Sequence, residues 1–338
     1  MSAVENLAAQ APVVEAVPKR AMTLGTGTTL IILAALVVVP LFVKNFVIFQ
    51  MTMLLIYGIA VLALNILTGG SGQFSLGQSA FYAVGAYTSA ILMEQYNINY
   101  ALTLPVAGIV CFAAGFLFGL PALRLSGVYL ALATFALATA MPQLLKLGFF
   151  EPWTGGVQGL VVTKPDAPFG LPMGQDAWLY YFTLAITVAI YIFSINLLRS
   201  RSGRAFMAIR DNEIAASAMG IDVALYKTLA FGVSAGITGV AGGLGAIAVQ
   251  FVAPDSYTIQ LAISLFLGMV VGGVGWLPGS FVGSAFIIFV PNLAEGISKG
   301  LSGAVFGVLL FLVIFLVPHG ARQIAIVGQQ LIGKIRKN

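Results

Sequence analysis

Five polar side chains, Gln73, Ser75, Gln78, Ser79 and Tyr82, interrupt an apolar stretch just after the cluster Gly69-Gly70-Ser71-Gly72. Helical spacing puts Gln78 and Tyr82, four apart, on one face, and Ser75 and Ser79 likewise. At membrane depth such amides and hydroxyls face the protein interior or a water-filled cavity. There they serve one of two ends: contact with a passing solute, or hydrogen-bonded attachment between helices at about 0.6 kcal/mol per contact. A second cluster, Gly272-Gly273-Val274-Gly275, breaks an apolar stretch at a similar place in the other half of the chain. Paired interruptions of this kind point to a transport pathway with Gly272 and Gly273 in its wall; the alternative is tight helix packing.

Catalytic groups are scarce. His319 is the single histidine and Cys111 the single cysteine, which removes most metal sites and Ser/His/Asp arrangements. The apolar stretches hold no clustered carboxylates, so a non-catalytic chain with no cofactor or metal of its own is expected. The segment GQQLIGK, Gly328 to Lys334, imitates a phosphate-binding loop. Ile335 follows it where a magnesium-ligating Ser or Thr is required, so it is a decoy.

The elements that position these residues follow from composition. Of 338 residues 59% are hydrophobic and 8% charged, with 39 glycines and a mean hydropathy of +1.01. A soluble domain carries roughly 25% charged residues and has no core large enough to hide this much apolar surface. Windows of about 20 apolar residues, enough to cross the hydrocarbon layer, recur at 24–43, 46–67, 74–93, 101–120, 127–147, 178–198, 228–249, 258–275, 280–297 and 302–318. The fold expected is all-α: a polytopic bundle of about ten transmembrane helices with both termini cytoplasmic. Two segments at the glycine clusters either cross or re-enter. Around this domain, residues 23–320, lie a disordered cytoplasmic tail, 1–22, and a basic cytoplasmic tail, 321–338.

Basic residues test the orientation. Lys19, Arg20, Arg124, Arg199, Arg201, Arg204, Arg210, Lys227, Arg322, Lys334, Arg336 and Lys337 fall on the inner side, against Lys44, Lys146, Lys164 and Lys299 on the outer. That asymmetry is the one expected of a membrane protein, and it accounts for the net charge of +5 without nucleic acid as a partner. No Asp, Glu, Arg or Lys stands at the centre of any span. Glu94, Lys146, Glu295 and Lys299 fall near ends, the last two spaced to pair at the outer surface. An ion-driven carrier needs buried ionisable relays, so energy is expected from outside the membrane. A stand-alone ion-coupled secondary transporter is the rival reading.

Two loops are long. The outer one, 148–177, is rich in Gly, Pro and aromatics, including Phe149, Phe150, Trp153 and Phe169. The inner one, 199–227, is basic and helix-patterned. Ser202 is expected to cap a helix over Gly203 to Arg210, and Asp211 or Asn212 a second one with Glu213 in its first turn. Gly220 is placed to end it in the left-handed conformation, and Asp222 to start the next span. The small residues Ala215, Ala216, Ser217 and Ala218 suit docking into a groove on a partner. A solvated connector, or a helix lying on the lipid surface, has the same pattern.

The run Gly203-Arg204-Ala205, Ala208-Ile209-Arg210-Asp211-Asn212-Glu213, Ala215-Ala216 and Met219-Gly220-Ile221 resembles the ATPase-coupling loop of branched-chain amino acid ABC permeases. Residues 69–92, Thr154-Gly155-Gly156, Gly272-Gly273-Val274-Gly275 and Pro318-His319-Gly320 resemble the same family in order, over roughly 46–320, closest to its LivM-type subunit. The resemblance implies a permease subunit of a bacterial inner-membrane importer for leucine, isoleucine, valine or related amino acids. Urea, short amides and aromatic acids are solutes of related permeases. It further implies two cytoplasmic ATPases that bind ATP and magnesium, a second homologous permease and a periplasmic solute-binding protein. Gly203, Arg204, Arg210, Asp211, Glu213, Ala215, Ala216 and Gly220 would form the coupling element. One departure stands out: Ile214 separates Glu213 from the alanine pair, where many ABC permeases place the glutamate directly before it.

Overall fold

A computed structural model describes residues 34–123, 125, 127–168, 173–297 and 307–308. Both tails, the first half of the expected span 24–43, most of 302–318, Arg124, Phe169, the side chain of Glu295, Lys299, Pro318-His319-Gly320 and the 328–334 decoy lie outside the described residues.

The fold is mostly helical. Its main helices are α1 Asn45–Asn65, α2 Gln78–Glu94, α3 Tyr100–Ala122 and α4 Val128–Leu145. After a short α5, Glu151–Thr154, come α6 Gln175–Arg199, α7 Arg201–Asp211, α8 Glu213–Ala218 and α9 Val223–Val249. The last two are α10 Ile259–Gly272 and α11 Gly279–Ile297. A two-stranded antiparallel ladder joins β1, Leu160–Val161, to β2, Phe251–Val252.

Among the described residues six helical stretches are long and apolar enough to cross a membrane: 45–70, 100–121, 128–145, 175–199, 223–249 and 254–272. Each coincides with an expected span. The expected spans 74–93 and 280–297 are met by α2 and by α11, whose apolar part is shorter than a crossing. α2 has 17 residues because 71–77 is irregular: Gly72 takes φ +74°, and the helix begins only at Gln78. Ser75 therefore precedes the helix and shares no helical face with Ser79, contrary to the spacing argument. α11 contains Pro291, and its apolar part is Gly279–Asn292.

Close backbone approach holds the bundle together, since lipid supplies no hydrophobic drive between helices. A Cβ on Gly85 of α2 would meet the backbone of Gly239 on α9, and one on Gly242 the carbonyl of Tyr82. On the other side of α9, Gly239 abuts Cys111, and Gly115 of α3 abuts Ala235. α1 runs through the middle, its residues Ile56, Ile59, Leu62 and Leu64 fully buried.

Contacts sort the helix ends into two groups. At one end Glu94 accepts from Thr163 N (3.1 Å), Lys146 pairs with Asp255 (2.6 Å) and Trp178 Nε1 donates to Tyr100 OH (3.0 Å). At the other, Arg210 reaches Gly69, Gln73 reaches Lys227 and Asn65 reaches Gly273. Successive long helices thus alternate in direction, with loops 148–177 and 199–227 at opposite ends.

Candidate functional site

The 199–227 segment is pinned on one side and open on the other. Ser200, not Ser202, caps α7 by accepting from Gly203 N (3.4 Å). The reason is that α7 starts two residues earlier than expected, directly off the end of α6. A Cβ at Gly203 would collide with the backbone of Leu197 and Leu198, so this turn requires glycine. Phe206 and Ile209 are fully buried, and Phe206 meets Tyr226 edge-on at 6.2 Å between ring centroids. Together with Leu67, Phe81 and Phe231 this face locks α7 to the bundle.

Asn212 caps α8 by accepting from Ala215 N (3.0 Å), and Asp222 caps α9 by accepting from Leu225 N (3.0 Å). Gly220 stands at φ +83°, with Gly220 N donating to Ser217 O and Ile221 N to Ala216 O. That is the helix-ending glycine turn the sequence called for. Glu213 forms an ion pair with Lys227, tying α8 to the beginning of α9. Ala216 is buried, whereas Ala215, Ser217 and Ala218 are exposed. Ile214 and Met219 are 83% and 84% exposed, an apolar pair on a short rigid element. Arg204 donates to Arg199 O (3.0 Å). Arg210 bonds Asp211 Oδ1 through Nε and Nη2 (3.0 and 2.9 Å) and, through Nη1, Gly69 O (2.8 Å).

The two glycine clusters, about two hundred residues apart in sequence, touch each other. α1 ends in a π-helical turn, Ile66–Gly70, and a Cβ on Gly69 would sit 2.5 Å from Gly275 N. Gly273 and Gly275 take φ +102° and +79°, turning α10 into α11. Gly272 and Gly279 meet backbone to backbone across that turn. Asn65 holds the junction closed. It accepts from Gly275 N (2.7 Å) and donates to Trp276 O (3.0 Å), Gly273 O (3.3 Å) and Ser280 Oγ (3.4 Å). Sequence reasoning missed Asn65, although an amide at the end of the apolar run 53–67 was the available signal.

The polar group near α2 is used largely for attachment. Gln73 Nε2 donates to Ser71 Oγ (2.9 Å) and Lys227 O (3.1 Å), and Ser75 Oγ accepts from Gly77 N (3.2 Å). Gln78 bridges α2 and α9: it donates to Ser234 Oγ (2.9 Å) and accepts from Thr238 Oγ1 (2.7 Å). Ser234 in turn donates to Ala63 O of α1 (2.8 Å). Ser79 is buried with its hydroxyl unpaired. Tyr82 stacks on Tyr57 (6.3 Å) and leans on Tyr257 (5.8 Å), which meets Tyr87 edge-on. Gly272 and Gly273 do not join these residues; they lie in the Asn65 junction.

Residues 46–317 match the family model described as branched-chain amino acid transport system / permease component. The chain belongs to this family. Among its relatives, the high-affinity branched-chain amino acid transport system permease protein LivM of Salmonella typhimurium is 36% identical over 247 residues, as is that of Escherichia coli. Each alignment covers 66% of this chain and 58% of the relative, so the chain spans less than two thirds of their length. A probable LivM of Methanocaldococcus jannaschii is 26% identical over 65% of this chain and 67% of its own. No solved structure matches. The family match takes in both glycine clusters and the whole 199–227 segment.

Proposed function

We propose that the chain is a membrane-spanning, non-catalytic permease subunit of an ABC importer in a bacterial inner membrane, moving branched-chain or related amino acids. One observation carries this reading. α8 presents Ile214, and the turn that ends it Met219, outward on a segment held by the Asn212 cap, the Gly220 turn and the Glu213–Lys227 ion pair. A lone exposed apolar residue needs no explanation, but a rigid small-residue segment carrying two of them fits a groove on a partner protein.

In this reading the chain crosses the membrane ten times, with both termini and the 199–227 end in the cytoplasm. Gly203, Arg204, Arg210, Asp211, Glu213, Ala215, Ala216 and Gly220 form the docking element for one of two ATPases, which bind ATP and magnesium. A second homologous permease and a periplasmic binding protein complete the assembly. The solute passes beside Tyr82, while Gln73, Ser75, Gln78 and Ser79 brace the wall that carries it, and Gly272 and Gly273 shape the cytoplasmic turn. The relatives' names favour leucine, isoleucine and valine over urea, amides or aromatic acids.

The test is an Ile214→Asp/Met219→Asp variant of the full chain, co-expressed with its ATPases. The partner ATPases are expected to be lost on affinity purification, with ATP-dependent leucine uptake falling roughly tenfold or more, while insertion into the membrane is unchanged. Tenfold corresponds to about 1.4 kcal/mol, less than two buried apolar side chains contribute. Wild-type uptake with no ATPase bound would overturn the proposal.

A further inference from the structure

Arg210 and Asn65 lie on different elements, yet they act on one short piece of backbone. Arg210 Nη1 donates to Gly69 O at 2.8 Å, and its aliphatic stem lies against Gly72, where a Cβ would sit 3.0 Å from Arg210 Cγ. Gly69 belongs to the π-helical turn that ends α1, a distortion found mostly at functional places in helices. A Cβ on Gly69 would be 2.7 Å from both Asn65 Oδ1 and Gly275 Cα, so the junction has no slack. Asn65 then grips the opposite turn at Gly273, Gly275 and Trp276. The line from α7 to the α10–α11 turn is therefore continuous: a charge-assisted hydrogen bond, a carbonyl, a backbone contact and a buried amide.

We propose that Arg210 and Asn65 are positioning residues that transmit displacement of the α7–α8 segment to the junction of the two glycine turns. This rests on the reading of that segment as the ATPase-docking element. Because Asn212 both ends α7 and caps α8, a push on α8 is passed to the end of α7 that carries Arg210. Gly69 O follows through the charge-assisted bond, which is roughly twice as strong as a neutral one. Gly275 follows because nothing compressible stands between it and Gly69. The α10–α11 turn, free of side chains at Gly272, Gly273, Gly275 and Gly279, is the element able to shift.

The experiment measures labelled leucine uptake and ATP hydrolysis together in proteoliposomes holding the complete assembly. Asn65→Leu removes the amide's hydrogen bonds while keeping the branched skeleton, and Arg210→Ala cuts the link from the surface. Each is expected to lower the solute moved per ATP hydrolysed by roughly fivefold or more, the lower end of ordinary coupling between sites. The double variant is expected to be no worse than the poorer single one, since the two act in series, and Arg210→Lys is expected to restore part of the ratio. Arg210→Ala keeps the test open if Asn65→Leu fails to fold. An unchanged ratio, or independent multiplying losses, overturns the link while leaving the importer reading intact. Leucine uptake with no ATPase in the assembly overturns that reading instead.

Discussion

Replacing Gly85 by Ala should separate α2 from α9, because the added methyl has nowhere to go. Its carbon would stand 2.5 Å from Gly239 Cα and 2.6 Å from Gly239 C, where ordinary contact begins near 3.4 Å. The obstacle is backbone, so no rotamer change relieves it. α9 cannot retreat either, because Gly239 already abuts Cys111 and Gly115 abuts Ala235 on its far side. The helices must part by about 1 Å, and a gap of that size forfeits a quarter to a half of each contact it opens. Overpacking costs typically 1–3 kcal/mol, and a seam wedged from both sides belongs at the upper end. With about 2–4 °C per kcal/mol for chains of moderate size, the thermal transition of the purified protein should fall by about 5–10 °C at fixed scan rate. Gly148→Ala is the control, having open space around its Cβ and no left-handed φ, and should change the transition by no more than about 0.5 kcal/mol equivalent. A Gly85→Ala protein that melts with the control would mean that α2 and α9 are not in backbone contact.

Gln78→Leu should cost about 0.6–1.7 kcal/mol, the range for interhelical hydrogen bonds in membranes, because Ser234 still donates to Ala63 O and Thr238 to Ser234 O. Leucine uptake should then drop no more than the amount of folded protein does; a tenfold loss at normal yield would put Gln78 in contact with solute. Cysteine labelling checks the arrangement of the ends. In a Cys111→Ala background, a cysteine at exposed Val157 should react with an impermeant thiol reagent added to the outer face, and one at exposed Ile214 only after the membrane is opened. The reverse pattern would invert the topology.

Hydropathy made the helices legible, because a span is defined by its own length and composition. All eight expected spans within the described residues have a helix. The caps of the 199–227 segment were legible for the same reason: Asn212, Asp222 and Gly220 act on backbone within three or four residues of themselves. Ser200 was misassigned because Ser202 offers the same chemistry two residues on, and only the tight turn at Gly203 decides between them. The beginning of α2 was missed because Phe74 and Leu76 draw the apolar window back to 74, although the backbone becomes helical only at Gln78. Least legible were Asn65 and the meeting of the two glycine clusters. Those contacts join residues about two hundred positions apart, and a single sequence does not encode who meets whom at that range.

Where the charges lie bears directly on how work could enter the bundle. The four ion pairs among the described residues, Lys146–Asp255, Lys164–Asp176, Arg210–Asp211 and Lys227–Glu213, all stand at helix ends or in connecting segments. Between those ends the described helices are joined by neutral bonds such as Gln78–Ser234 and by glycine contacts. Among the described residues no Asp, Glu, Lys or Arg stands mid-span, so the interior holds no such group to relay a proton. It does respond to displacement, because close-packed backbone seams move as blocks rather than deform. Force applied at one end would therefore travel through contacts that have no slack, and the firmest of these at the 199–227 end is the bond from Arg210 to Gly69. If uptake proved instead to follow a proton gradient across liposomes lacking ATP, the neutral interior would be the wrong place to look for the relay, and this account of the bundle would fail with it.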